Sequence, residues 1–449
     1  MILIESFNPM DKGRVLMFST QFIKPSLCKL GIQLLTSLTL ALGASVSLAA
    51  GTTLDDLIVQ ALASYPTILA RQSSRDAAQT DLTAAKLKFL PNPSVSTQRN
   101  QVAYTNNSLT NLPATNVTIS QPIFMGGGLV AGYNKADSRL SAADFALLET
   151  REEISRRVIV SYTEWYKAHL KILALDESLK LHEKFVGLIT RRYEAGVASG
   201  ADRDLGVSRL MQAKADLDAQ RSIEESSLTT MSQLVGQSIV RADLIGGIPK
   251  PISIPKRQDG IFQALAISPT IQRSKHEADA AEHEAKEIRA QALPQVSFQA
   301  QRQIGNTYVP GYPGYDMYGL VVSYAPGGGF SSIATTSAAF ERARASTMQV
   351  EISKRDLSDR LSAEYNEYEF SQLKKESLQR SSDLSSDISA SYDRQYLVGR
   401  KSWIDLMNAV RERAQTRVSL ADADGGLLGS SYRLAIYING TRQFDEVNR

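Results

Sequence analysis

One cysteine stands in 449 residues, and it is Cys28. It precedes an apolar run over residues 30–48 that follows Lys24 and Lys29 and ends in Ser47-Leu48-Ala49, the small-x-small pattern of a signal-peptidase site. Residues 1–49 therefore read as a secretory signal peptide. Cleavage near Ala49 leaves no thiol, which excludes a disulfide framework, a cysteine metal site and a lipid-bearing N-terminal cysteine.

Histidine is scarce as well. His169 and His182 fall in a long helical pattern and read as surface or seam residues. His276 and His283 are seven apart near Glu277 and Glu284, whereas metal-binding helices use i, i+4 spacing and further ligands. The glycine triplets at 126–128 and 327–329 have no Lys-Ser or Lys-Thr after them, and Ser199 sits between Ala198 and Gly200 rather than in a Gly-x-Ser-x-Gly elbow. No metal, cofactor or nucleotide site is expected, and no enzyme.

Net charge is also missing. Four of the 50 basic and two of the 47 acidic residues precede residue 50, leaving 46 against 45 in the exported chain. A balanced chain with no basic block does not bind nucleic acid, which needs clustered cations along phosphate.

Proline is absent from residues 123–248 and again after Pro326. An interior proline removes a hydrogen bond and clashes with the preceding turn, so these are the stretches free to form long helices. Each is broken only at one motif: Tyr193, Gly196, Ser199 and Asp202 in the first, Tyr396, Gly399, Ser402 and Asp405 in the second. The offset of 203 residues also relates Pro66 to Pro269 and Leu90-Pro91 to Leu293-Pro294. The chain reads as a tandem duplication, with repeats over residues 50–250 and 251–449.

Residues 127–193 predict a helix of about 100 Å at 1.5 Å per residue. Val158, Trp165, Ile172, Leu179 and Val186 are spaced by seven, a coiled-coil seam, with Arg156, Arg157, Lys167, Lys171 and Lys180 off it. Shorter helices are expected at 67–90 and 201–236, and at 270–293 and 403–438. Their summed lengths predict two short pieces stacked end to end beside each long helix. Gly196 and Gly399 then supply a left-handed helix end, and Ser199 and Ser402 cap the next helix with an acid three residues on. The motif is a helical hairpin tip.

Between short and long helix each repeat holds a strand pair, at 94–123 and 294–325. Val296, Phe298 and Ala300 alternate with Gln295, Ser297, Gln299 and Gln301. The connecting loops are rich in Asn, Thr, Gly and Tyr, with Tyr308, Tyr312, Tyr315 and Tyr318 clustered where a membrane interface or an ordinary turn would place them. A sheet facing lipid can have no open edge, and bacterial barrels begin at about 8 strands, so a chain with four strands must associate. Three chains give a twelve-stranded barrel above a helical tube. Its lumen is expected to be walled by small polar residues such as Ser381, Ser382, Ser385, Ser386 and Ser389.

The doubled Tyr-x-x-Gly-x-x-Ser-x-x-Asp, and the junction Gln121-Pro122-Ile123-Phe124 followed by Gly126-Gly127, resemble the TolC-like outer-membrane efflux and secretion proteins over residues 53–439. The resemblance implies a mixed α and β fold, a homotrimeric β-barrel in outer-membrane lipid, and a periplasmic coiled-coil tunnel. It implies a passive duct that docks a periplasmic adaptor and an inner-membrane pump, either an ATP-binding transporter or a proton-driven one.

The resemblance also assigns roles. Asp405 matches an acid of the periplasmic aperture ring, while a second family acid three residues later is here Asn408. Tyr396, Lys401 and Asp202 match a closed-state latch, with Lys in place of Arg keeping the charge but losing the bidentate fork. Gly196, Ser199, Gly399 and Ser402 shape the tips where an adaptor docks. Tyr324-Ala325-Pro326-Gly327-Gly328-Gly329 replaces the usual second junction and resembles the branch serving type I secretion of large adhesins. Type I protein secretion is the reading that follows, with small-molecule efflux as the alternative and a soluble periplasmic scaffold or adaptor as the rival.

Overall fold

The computed structural model describes residues 52–103, 109–305, 314–325 and 328–441. The expected signal segment, Tyr308, Tyr312, Pro326 and Gly327 lie outside the described residues. Two series of elements run in the same order. The first is α1 (Leu54–Ser64), α2 (Pro66–Leu87), β1 (Asn92–Ala103), β2 (Leu109–Phe124), α3 (Gly128–Glu194) and α4 (Gly200–Val235). A short α5 (Arg241–Ile245) leads to the second: α6 (Arg257–Ile267), α7 (Pro269–Gln291), β3 (Gln295–Ile304), β4 (Gly314–Ser323), α8 (Ser331–Leu397) and α9 (Trp403–Asn439).

Helices α3 and α8 are each 67 residues long, as the proline-free stretches predict. Helices α1 and α6 were not expected. Pro66 and Pro269 occupy the first turns of α2 and α7, where a missing N–H costs nothing, and a single residue separates each new helix from the previous one. The proline restarts the chain here; it does not open it. Thr53 and Asp56 form a capping box at the start of α1, fixing where its apolar face begins.

That face builds the main core. Leu57 and Ile58 of α1 pack with Val158, Tyr162 and Trp165 of α3, Met231 of α4 and Ile436 of α9, all fully buried. Each large side chain so enclosed contributes roughly 1.5–3 kcal/mol. A second cluster joins Ala264 of α6, Leu361 and Tyr365 of α8 and Leu434 of α9, and the Tyr365 hydroxyl donates to the Pro255 carbonyl at 3.1 Å.

Three expectations need correction. The heptad seam of α3 holds through Val158, Trp165 and Ile172, but Leu179 and Val186 are only half-buried, and Ser178, Phe185 and Ile189 take over. A helix enclosed by several neighbours follows its own 3.6-residue repeat and drifts off a strict seven. His169 and His182 are correspondingly buried. Ser382, Ser385 and Ser389 are buried inside the single chain, on a helix that packs along α9, so they are close-packing positions and not lumen wall. Last, α7 of the second series packs against both α3 and α8, so α3 is flanked from both repeats.

The four strands form one antiparallel sheet in the order β1-β2-β3-β4. Register places Val95 opposite Val117, Ala300 opposite Ile119, and Phe298 opposite Leu320, giving one apolar face. The other face carries Ser94, Asn116, Thr118 and the alternate glutamines of β3. A bulge between Pro122 and Phe124 sets Phe124 opposite Val296, back on the apolar face. The chain turns from β2 into α3 on Gly126 and Gly127, at φ of 60° and 84°. A Cβ on Gly126 would also lie 2.8 Å from the Ala290 carbonyl oxygen at the end of α7. Among the described residues no helix is long and apolar enough to cross a membrane.

Candidate gating and docking site at the hairpin tips

Both tips are built the same way. Gly196 and Gly399 adopt φ of 72°, in the left-handed region that a side chain resists. The following N–H groups reach back: Val197 donates to the Arg192 carbonyl at 2.8 Å, and Arg400 to the Gln395 carbonyl at 2.9 Å. These are the closing bonds of helix ends in which glycine takes the turn. A Cβ at either glycine would meet nothing within 4 Å, so conformation alone makes the demand.

Serine then starts the return helix. The Ser199 hydroxyl accepts from the Asp202 N–H at 3.1 Å and donates to the Asp202 carboxylate at 2.8 Å. At the second tip the Ser402 hydroxyl accepts from the Asp405 N–H at 3.1 Å, and the Ser402 N–H donates to the Asp405 carboxylate at 3.3 Å. Hydrogen bonding from Ser402, and then the nearby charge of Lys401, hold the Asp405 carboxyl below the usual carboxylate range. It is an exposed anion at the end of the hairpin.

The remaining residues singled out in the sequence divide. Tyr396 is buried against Trp403, ring centroids 5.6 Å apart, and the Arg192 guanidinium lies 4.6 Å over its ring. Lys401 places its ammonium 4.4 Å over the Tyr392 ring. Within one chain, then, Asp202 is engaged by Ser199 and Lys401 by Tyr392; the two do not meet. Asn408 accepts from Arg411 at 3.3 Å.

What joins the two hairpins was not foreseen. Phe185 and Ile189 of α3 pack with Tyr396, Trp403, Leu406 and Met407 in a closed apolar cluster at the tips. Above it, Lys184 pairs with Asp393 at 2.6 Å, Glu177 of α3 receives both Arg413 and Arg417 of α9, and Lys171 pairs with Asp422 at 2.6 Å. Trp403 directly after the capping Ser402, one of two tryptophans in the chain, was the available signal. The ion pairs had none, because their partners are more than 200 residues apart in sequence.

Below the tips both turns leave apolar side chains in solvent: Val197 is 76% exposed, Val398 69% and Ile404 55%. The tips thus present a small apolar and basic end surface around two capped acids. Along α7, His276 stacks on Phe145 with centroids 5.4 Å apart, a packing contact between α7 and α3.

Comparison with known proteins agrees with this architecture. Residues 57–237 match the family model described as outer membrane efflux protein. The alkaline protease secretion protein AprF of Pseudomonas aeruginosa is 24% identical over 331 residues, spanning 72% of this chain and 68% of AprF. The outer membrane protein VceC from Vibrio cholerae superposes with a TM-score of 0.76 at 15% identity, covering 86% of this chain and 96% of VceC. A membrane protein from Pseudomonas aeruginosa gives 0.76 at 14% identity, covering 87% and 92%. In its doubled hairpins and four-stranded sheet the chain shares the fold of these outer membrane proteins, and over residues 57–237 it is similar to the outer membrane efflux protein family.

Proposed function

We propose that the chain is the outer-membrane exit duct of a type I protein secretion system, assembled as a homotrimer and engaged from the periplasm by an adaptor and an ATP-binding inner-membrane transporter. In this reading it is a non-enzymatic channel of the outer membrane with its helices in the periplasm, which the match of residues 57–237 to the outer membrane efflux protein model supports. The observation that carries the protein-secretion reading is the relative AprF, whose described role is alkaline protease secretion and which matches over most of both chains. The family's description as efflux proteins keeps small-molecule export as the second reading.

In this proposal the tips are the gate and the docking end. Asp405 of each chain contributes to an acidic aperture, which Asn408 leaves with three carboxylates per trimer. Lys401 leaves Tyr392 to pair with Asp202 of an adjacent hairpin, Tyr396 anchors the tip core beneath it, and the turns at Gly196, Ser199, Gly399 and Ser402 present the surface an adaptor grips. Lys401→Gln and Asp202→Asn channels in planar bilayers are expected to conduct more than the parent; equal conductance refutes the latch.

Deleting the gene distinguishes the cargo classes. Loss of a large protein from the culture medium, with unchanged tolerance of dyes and detergents, is the expected result. An unchanged set of extracellular proteins with increased sensitivity to such compounds points to the efflux reading instead.

A further inference from the structure

The two faces of the sheet differ in charge as well as polarity. Among the strand residues whose side chains are described, three are charged: Arg99, Arg302 and Asp316. By register all three lie on the apolar face: Arg302 stands opposite Val117 and Asp316, and Arg99 is four residues along β1 from Val95. Arg302 and Asp316 are exposed and 3.8 Å apart. The polar face has no charged side chain among those described.

That distribution runs against the cost of charge. A cation facing lipid costs about 2–4 kcal/mol at the bilayer midplane and little near its edges, whereas a water-filled lumen accepts charge freely. The sheet nevertheless keeps its charges off the wet face and fills the β1 to β3 part of that face with amides and hydroxyls, to which β4 adds the uncharged Tyr315, Met317 and Val321. Several hold one another: Gln301 donates to the Asn116 side-chain oxygen at 3.3 Å, Gln299 to the Ser297 hydroxyl at 3.5 Å, and Gln303 to the Gly305 carbonyl at 3.2 Å.

We infer that this face lines the barrel exit as a charge-free amide surface, and that it passes unfolded polypeptide irrespective of the sign of its charge. The inference rests on the trimeric protein-secretion reading and names the physical class of cargo. A side-chain amide both donates and accepts, as does each peptide group of an extended chain. A passing polypeptide therefore exchanges one such hydrogen bond for an equivalent one at every step, whatever its sequence. A ring of fixed charges would instead hold oppositely charged segments and repel like ones, most strongly where water is scarce.

Thiol labelling tests this on the full-length protein in outer membranes. In a Cys28→Ser background, Gln299→Cys and Gln301→Cys are treated with a cationic and an anionic methanethiosulfonate, and the rate ratio is corrected for the reagents' intrinsic reactivity. The expected ratio is within about twofold of unity at both positions, with Leu320→Cys and Val322→Cys unreactive. A preference beyond about tenfold for either sign, a local bias of about 1.4 kcal/mol, overturns the charge-free assignment. Adding Gln299→Glu beside Gln301→Cys should shift the ratio toward the cationic reagent; no shift means the two positions do not share a lumen and also overturns it. If Leu320→Cys reacts as fast as Gln299→Cys, both faces are wet, and it is the barrel reading underneath that fails.

Discussion

Trp403, the first residue of α9, stands edge-on to Phe185 of α3, with ring centroids 6.5 Å apart and planes at 88°. This contact fastens the second hairpin to the first at the tip. Gly206 of α4 completes it, since a Cβ there would lie 3.1 Å from the Trp403 ring. Trp403 is thus the aromatic centre of the apolar cluster that joins the two hairpins at the tip, beneath the ion pairs from Lys184 and Glu177.

Trp403→Ala should therefore loosen the tips more than any surface change. Removing a buried tryptophan costs about 3–5 kcal/mol where the site cannot collapse. Hydrogen exchange should show faster amides over residues 185–189 and 403–410, with the main core around Trp165 unchanged. Equal protection in parent and variant would mean that the contact holds nothing.

The tip glycines make a conformational prediction separate from packing. Gly196→Ala and Gly399→Ala each put a side chain at φ of 72° with open space around it, so the penalty is backbone strain alone, about 1–2 kcal/mol. Asparagine tolerates the left-handed region, and Gly399→Asn should recover part of the loss in thermal melts.

Ser402→Ala should cost about 1 kcal/mol through the lost cap. It also removes the hydroxyl that helps hold the Asp405 carboxyl below its usual range. A depressed carboxyl stabilises the fold above its unfolded pKa, and that contribution is lost as pH falls through the folded value. The gap in melting temperature between parent and Ser402→Ala should accordingly narrow at acid pH; a pH-independent gap would contradict the capping account.

Glu152 of α3 behaves oppositely. Burial raises its pKa to about 7, despite Arg156 lying 3.5 Å away and favouring the charged form. A raised carboxyl binds more protons folded than unfolded, so stability falls as pH rises from the ordinary value of 4.5 toward about 7. Glu152→Gln should thus raise the melting temperature at pH 8, by an amount corresponding to about 1–3 kcal/mol, and change it little at pH 4. Equal effects at both would place the proton elsewhere.

Much of this architecture is readable from the sequence because it depends on residues with sharp backbone preferences. The gap in proline after Pro122 frames α3, Gly196 with Ser199 marks the hairpin, and the Val296, Phe298, Ala300 alternation marks a strand. What escaped detection depends on partners distant in the chain. Helix α1 hid behind Pro66, because a proline that starts one helix also looks like the end of disorder before it. Ser382, Ser385 and Ser389 look like lumen by polarity, yet small size is what α8 needs beside α9. The Glu177 pairing with Arg413 and Arg417 has no local signature at all.

Four strands with two open edges carry the central claim, since one chain cannot close a lipid-facing barrel and three chains supply twelve strands. Native mass spectrometry of the detergent-extracted outer-membrane protein tests this most directly. The account predicts a complex of three copies that resists dissociation until the sheet is unfolded. A single copy that stays soluble without detergent would contradict it.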